Sequence, residues 1–559
     1  MKNPIKISVL LLFWTLSAFS QTESQIDSIF SNWANNPNTP GGSAVIIHKG
    51  EVIYNKAFGL ANIAENRPNT TNTAFQLAGM SKQFTAFATF LLADRGEIKL
   101  TDDIRKYLPE MRVYDHTITI NHLLSSTSGL NDVWTLKSLM GWRPQDHFTH
   151  SDALRIISAQ KDLGFIPGDD HSNTQTETVL LAEIVARVSG LSFAEFCNQE
   201  IFDPLGMDNT FVLDTIGMVI PDMATSYQQV ENGYSEVQNV DTFIGAINVF
   251  SSSTDLSLWE LNMLDPKIGS KAIFDQMNSA AVMNNGQTID PPLGRHTLGQ
   301  QFLHKERGIL NIYQTGSIGG YTSSIFKFID DEFTIIVLSN AGEPYTGYLG
   351  MFTCYLFLKD SFLNPAEIAF DVLETLDLSE QELSSYTGAY WDKLGVVGRD
   401  ISLINDTLRY VRSAENSTAL LPIAPHTFQM MSGGDEAIIF RFNVENEQKS
   451  IDLMIGDSAP ILLEAYEPVD DREDYLHSFK GTFVCEELNT TYEFLEIDGQ
   501  LVAQSIRNGN VSFTPVSQNL FEGSTWAFGS IKFELNESGQ VTGFHLFTDY
   551  IRDLWFKKV

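Results

Sequence analysis

The chain has 559 residues, 43% of them hydrophobic and 11% aromatic, which excludes a disordered polymer and supplies apolar mass for several domains. Its 70 acidic residues against 36 basic ones leave a formal charge of −34. That charge repels phosphate backbones and anionic bilayers, so nucleic acid is not an expected partner.

Residues Met1–Ser20 read as a secretory signal. Lys2 and Lys6 precede the apolar run Ile7–Phe19, and Ala18-Phe19-Ser20 puts small residues at the cleavage positions before Gln21. The run is short for a membrane span and no later stretch reaches spanning length, so a soluble mature chain, periplasmic or secreted, is expected. Cys197, Cys354 and Cys485 are odd in number and far apart, without Cys-x-x-Cys spacing. They predict buried free thiols, with neither a metal site nor a disulfide framework, and no cofactor is expected.

Ile26, Ile29, Phe30 and Trp33 mark an amphipathic helix. Ser43–Tyr54 and Ala57–Ala61 read as strands of a hairpin turned at Lys49-Gly50. Phe75–Ala86 then runs into an apolar helix that ends near Leu92 and carries Lys82 one turn after Gly79. Further along stand Leu100–Glu110, Ile118–Leu130 (a helix closed by Gly129), and Phe165–Asn173 ahead of a helix over Val179–Val188 closed by Ser189-Gly190. Ile201–Thr210, Ile244–Leu256, Ile312–Tyr321 and the apolar strand Phe333–Asn340 complete this part.

After Pro365 the texture changes to short β-patterned runs with an internal repeat. Ser384–Tyr390 returns as His477–Phe483, Leu421–Phe428 as Phe513–Phe521, and Ile438–Phe442 as Ser530–Leu535. Two units of short antiparallel strands predict two small β-barrels, each folding by itself.

Taken together, the stretches within residues 25–365 resemble the serine beta-lactamase-like and penicillin-binding-protein-like family, which includes class C beta-lactamases, D-alanyl carboxypeptidases and D-aminopeptidases. The resemblance implies an α/β (α+β) domain with an antiparallel sheet flanked by helices, followed by two lipocalin-like barrels of the kind appended to D-aminopeptidases. The implied boundaries are 1–20 for the signal, 21–370 for the first domain, and 376–468 and 474–559 for the barrels, with Asp470–Asp474 as linker. Residues 21–370 are then expected to stand alone.

In that family a Ser-x-x-Lys opens the helix, the Ser attacking a carbonyl and the Lys facing the same site. Lys82 matches the Lys, and Gly79 stands where the Ser would be. A Tyr-x-Asn borders the cleft; here Asn173 is kept and His171 takes the Tyr place. A third motif begins with Lys or His before Thr-Gly; here it is Gln314-Thr315-Gly316-Ser317. Acyl transfer needs a nucleophile, a base, a proton donor and an oxyanion hole. Glycine cannot be acylated and glutamine cannot carry a proton. The three departures imply a protein without catalysis whose cleft binds a peptide or acyl ligand through Lys82, His171, Asn173, Thr315, Gly316 and Ser317. The backbone amides of Gly79 and Ser317 would line the oxyanion pocket.

Other nucleophiles are weaker candidates. Ser81 lies about 200° round the helix from position 79 and points toward packing. Ser158 to Lys161 and Ser324 to Lys327 are chance strings, the first on an outer helix and the second in a strand, where i and i+3 face opposite sides. The resemblance implies that the segment carrying His122, Ser125, Ser126 and Ser128 braces the wall of the site. Two alternatives stay open: a hydrolase in which His171 activates water beside Lys82, and a scaffold whose barrels mediate contacts.

Overall fold

The structure is a computed structural model that describes residues 23–237, 240–289, 294–363, 375–392, 397–413, 416–431, 437–444, 449–455, 460–469 and 476–559. The expected signal at 1–20 and the linker Asp470–Asp474 lie outside the described residues. No helix among the described residues is long and apolar enough to cross a membrane. Two compact units are formed, and neither ends at residue 370. One unites the residues up to 95 with 185–279 and 299–362; the other unites 96–184, 280–298 and everything from 363 onward.

The first unit is built on an antiparallel sheet. Its strands are β1 (Gly42–His48), β2 (Glu51–Phe58), β3 (Phe302–Glu306), β4 (Ile309–Ile318), β5 (Tyr321–Phe328) and β6 (Phe333–Ser339), in the spatial order β3-β4-β5-β6-β1-β2. The β1–β2 hairpin turns at Lys49 (φ 52°) and Gly50 (φ 76°), the double left-handed conformation that matches strand twist in a two-residue loop. β1 and β5 are buried along almost their whole length, as central strands covered on both faces must be. Ile46, Val337, Phe326 and Phe328 pack with Ile26, Phe30 and Trp33 of the N-terminal helical segment and with Leu349 and Cys354.

Helix α1 (Lys82–Asp94) is buried on every side from Lys82 to Leu92, as expected of an apolar helix without a polar face. Phe84 and Phe87 each place their rings 5.0 Å from Trp259 of helix α2 (Ser253–Leu264), and Phe87 stacks on Phe274 at 5.3 Å. Each fully buried ring of this kind contributes about 1.5–3 kcal/mol over an exposed one. This nest fixes where the start of α1 sits.

The second unit contains the helices Ile120–Leu124, Val133–Leu139 and His150–Ala159 and two closed eight-stranded barrels. The first barrel runs from Gly388–Asp392 to Ile461–Tyr466 and closes by pairing Ala389 with Tyr466. The second runs from Gly481–Cys485 to Ile551–Lys558 and closes through Phe483 and Lys558. The repeat seen in the sequence is structural. Tyr386 packs on Phe428 and Phe442 in one barrel as Phe479 packs on Phe521 and Phe533 in the other. The fourth strand of each barrel carries a proline, Pro422 or Pro515, and each shifts register just after it. Proline has no N–H for the ladder, so it settles at a bulge.

The C-terminal barrel is hydrogen-bonded to the helical part of its own unit. Tyr492 Oη donates to the Leu139 carbonyl at 2.7 Å and Asn508 Nδ2 to that of Ser138 at 2.8 Å. Asp132 N donates to the Tyr550 carbonyl at 3.1 Å, Asn131 Nδ2 to that of Asp553 at 3.1 Å, and Arg552 N to Asn131 Oδ1 at 3.2 Å. These contacts join the C-terminal barrel to residues within the expected 21–370 domain. All three cysteines are buried free thiols, as their spacing predicts.

Candidate active site

The segment before α1 is held from both sides. Phe75 and Gln76 pair with Ser251 and Phe250, and Leu77 N donates to the Val249 carbonyl at 2.9 Å. Ala78 then adopts φ 47°, turning the chain into the 3-10 turn Ala78–Ser81 that leads into α1. Lys82 N donates to the Gly79 carbonyl, and Lys82 is buried at the first turn of the helix. Ser81 Oγ accepts from Val249 N at 3.1 Å, so this hydroxyl anchors backbone, as its place on the helix predicts.

Strand β4 brings the third motif against this turn. At Gly316 a Cβ would come within 2.4 Å of the Leu77 carbonyl and 2.9 Å of Ala78 Cβ, so the strand reaches the turn only because residue 316 has no side chain. Ser323 Oγ on β5 donates to the same Leu77 carbonyl at 2.7 Å. Gly79, Lys82, Gln314, Thr315, Gly316 and Ser317 all belong to the first unit.

Space at Gly79 is tight. A Cβ there would lie 3.1 Å from Gln314 Nε2 and 3.1 Å from the Thr315 carbonyl oxygen. Gln314 is itself buried; its Nε2 donates to that same carbonyl at 3.2 Å, and its Oε1 is buried without a partner among the described residues. The glycine and the glutamine are thus complementary in volume. Nothing local in the sequence marks these two distant positions as neighbours.

His171 and Asn173 belong to the second unit. His171 Nδ1 lies 3.6 Å from Asp170 Oδ1, and Arg552 Nη2 donates to the His171 carbonyl at 3.0 Å. Burial pushes the Asp170 carboxyl up, but the hydrogen bond with His171 and the Arg552 charge outweigh it and hold the group below its ordinary value. Burial lowers Arg552 against the opposing charges of Asp170, Asp549 and Asp392. Arg552 escaped sequence reading because nothing local marks a residue of a distant barrel strand as a neighbour of His171.

The stretch Ile118–Leu130 does brace this loop. Gly168 N donates to the Thr127 carbonyl at 2.9 Å and Ser172 N to that of Ser126 at 3.0 Å. Thr119 N donates to His122 Nδ1, Ser125 Oγ bonds Thr127, and Ser128 Oγ donates to Glu177. Ser126 Oγ is buried without a partner among the described residues, so His122, Ser125, Ser126 and Ser128 do not assemble a nucleophile–base pair with each other. Gln175, passed over in the sequence, donates from N to Asp132 Oδ1 at 2.8 Å and keeps its Oε1 buried without a partner among the described residues. The two chance strings are structural as well: Lys161 pairs with Glu486, and Lys327 with Glu260. Among the described residues no cluster of His, Cys, Asp and Glu suits a metal ion.

The beta-lactamase family profile matches residues 26–351. A penicillin-binding protein of Bacillus subtilis (strain 168) is 30% identical over 323 residues, covering 54% of this chain and 68% of that protein. A D-aminopeptidase of Gluconobacter oxydans (strain 621H) is 27% identical over 302 residues, covering 54% of this chain and only 56% of that protein. Among solved structures, the octameric penicillin-binding protein homologue from Pyrococcus abyssi superimposes with a TM-score of 0.52 at 21% identity, over 79% of this chain and 99% of that one. SurE does so with a TM-score of 0.53 at 17% identity, over 80% of this chain and 99% of that one. These structures share the fold.

Proposed function

The chain belongs to the beta-lactamase family, and we propose that within it this is an exported member that binds a peptide or acyl ligand without being acylated. The observation that carries the reading is Gly79 itself: it offers no hydroxyl at the head of the helix, and a Cβ there would sit tightly, 3.1 Å from both Gln314 Nε2 and the Thr315 carbonyl oxygen. Loss of a serine-hydrolase nucleophile costs about 10⁶-fold in turnover, and loss of its partners then costs little more. That non-additivity accounts for Gln314 and the altered Tyr-x-Asn accompanying Gly79.

What remains suits recognition: the buried amine of Lys82, the Gln314 amide, and backbone donors along Thr315–Ser317. The names of the relatives point to the ligand class, a β-lactam-like acyl group or a peptide with a D-residue at its end.

The test is covalent labelling. Intact protein incubated with a fluorescent penicillin or a fluorophosphonate should carry no adduct by mass spectrometry. The same protein should be stabilised thermally by peptides ending in D-residues; ligand at about 100 times its dissociation constant adds about 2.7 kcal/mol. An adduct on any cleft residue would make this a hydrolase with a displaced nucleophile, and no stabilisation by any peptide or lactam would favour the scaffold reading.

A further inference from the structure

Away from the candidate active site, the second unit holds a cavity of about 480 Å³ between residues 161–163 and the outer wall of the C-terminal barrel. Its barrel side is formed by the last two strands, Val541–Thr548 and Ile551–Lys558. On these strands Phe544, Leu546, Leu554 and Phe556 point inward and are buried, while His545, Asp553, Trp555 and Lys557 alternate outward into the cavity.

Trp555 sets the character of this wall. It pairs across the ladder with His545, and a Cβ on Gly543 would come within 2.3 Å of the indole. The ring therefore rests on bare glycine backbone, and a side chain at 543 would lift it off the strand. The imidazole of His545 lies 4.7 Å from the indole centroid and is fixed by a 2.6 Å bond between Nδ1 and Asp553 Oδ1. The result is an aromatic platform flanked by oriented polar groups.

Charge decides what the platform suits. Across the cavity Lys161 Nζ is bonded to Glu486 at 2.7 Å, and Lys161 N donates to Glu487 at 2.6 Å. His545 has Asp553. Lys557 and Asp162 add one charge of each sign. Four carboxylates (Asp162, Glu486, Glu487 and Asp553) thus face Lys161, Lys557 and the His545 imidazole, a small acidic excess that gives a phosphate or a polycarboxylate no net attraction. A neutral polyhydroxylated ring meets both needs: its C–H face covers an indole, and its hydroxyls both donate to carboxylates and accept from ammonium and imidazole. The volume is within the range of small-ligand sites, roughly 300–1,000 Å³.

We propose that this cavity is a binding site for a neutral sugar ring, stacked on Trp555 and hydrogen-bonded by Asp553, His545 and Lys557. Calorimetric titration of the full chain with cellotetraose, maltotetraose and chitotetraose, each at millimolar concentration, tests it beside inorganic phosphate and trigalacturonate. At least one neutral oligosaccharide should bind, and Trp555→Ala should weaken it about tenfold or more, a loss of about 1.4 kcal/mol. Because Trp555→Ala uncovers Gly543 and could loosen the barrel, Lys557→Ala, at an exposed position, gives a second reading: weaker sugar binding at an unchanged melting temperature. The proposal fails if no neutral sugar binds, if only the anions bind, or if binding survives both substitutions. In those cases the indole serves only to cover Gly543.

Discussion

Arg552 Nη2 donates to the carbonyl oxygen of His171 at 3.0 Å, joining residues 381 positions apart in the chain. The bond ties the loop before Asn173 to the C-terminal barrel, whose own strand is held by Asn131 through two further hydrogen bonds. Arg552→Ala removes the donor and leaves Asp170 and Asp549 without that neighbouring charge. A loss of about 1–3 kcal/mol in urea denaturation is expected. Arg552→Lys should recover part of it, and an unchanged midpoint in both variants would show the contact to be incidental.

Truncation after residue 370 is a harsher form of the same experiment. It strips the barrel partners from Asn131, Asp132, Ser138, Leu139 and His171 at once. The shortened chain should aggregate or lose cooperative unfolding. A soluble, cooperatively melting fragment would restore the view of the barrels as independent appendages.

Gly79→Ser should destabilise the fold, because its Cβ would press on Gln314 Nε2 and the Thr315 carbonyl. Overpacking of this kind costs about 1–3 kcal/mol. Gln314→Ala in the same chain should return much of the loss, giving a coupling of about 0.5–3 kcal/mol in a double-mutant cycle. Strict additivity would mean the space at position 79 is less closed than the geometry implies. Labelling by penicillin should follow the same logic and be stronger in the double variant than in Gly79→Ser alone.

Lys327 and Glu260 form an ion pair with 4% exposure on each side chain and an N–O separation of 3.5 Å. Burial raises the Glu260 carboxyl, and the Lys327 charge offsets part of that rise. Lys327→Met should cost about 3–5 kcal/mol by leaving a buried carboxyl without its cation. Combining it with Glu260→Leu should recover most of that loss, since apolar replacements of whole buried pairs are often neutral. If the double variant is no better than the single one, the pair contributes through packing with its neighbours instead.

His545 supplies a pH dependence. The bond to Asp553 raises its imidazole above the ordinary 6.5, burial opposes the rise, and the charges of Asp553 and Glu534 add to it. A folded value above the unfolded one means that this stabilisation is complete below 6.5 and is lost as pH rises through the folded value. Asp553→Asn should therefore lower stability more at about pH 5.5 than at alkaline pH, beyond the folded value of the imidazole. An equal loss at both pH values would assign Asp553 a purely structural role.

The sequence by itself determined the element types and the repeat. Lys49-Gly50 specified its turn because few residue pairs tolerate two left-handed conformations, and the tail repeat specified two barrels because each copy carries the same aromatic and proline positions. Gly79 and Gln314 were recognisable one by one, since each motif is contiguous. Only the tertiary structure decided that the glutamine fills the volume beside the glycine, that Gly316 is required by the approach of Leu77, and that Arg552 holds the His171 loop. Those facts depend on distances between residues hundreds of positions apart, and local propensity and periodicity carry no information about such distances until the chain has closed its core.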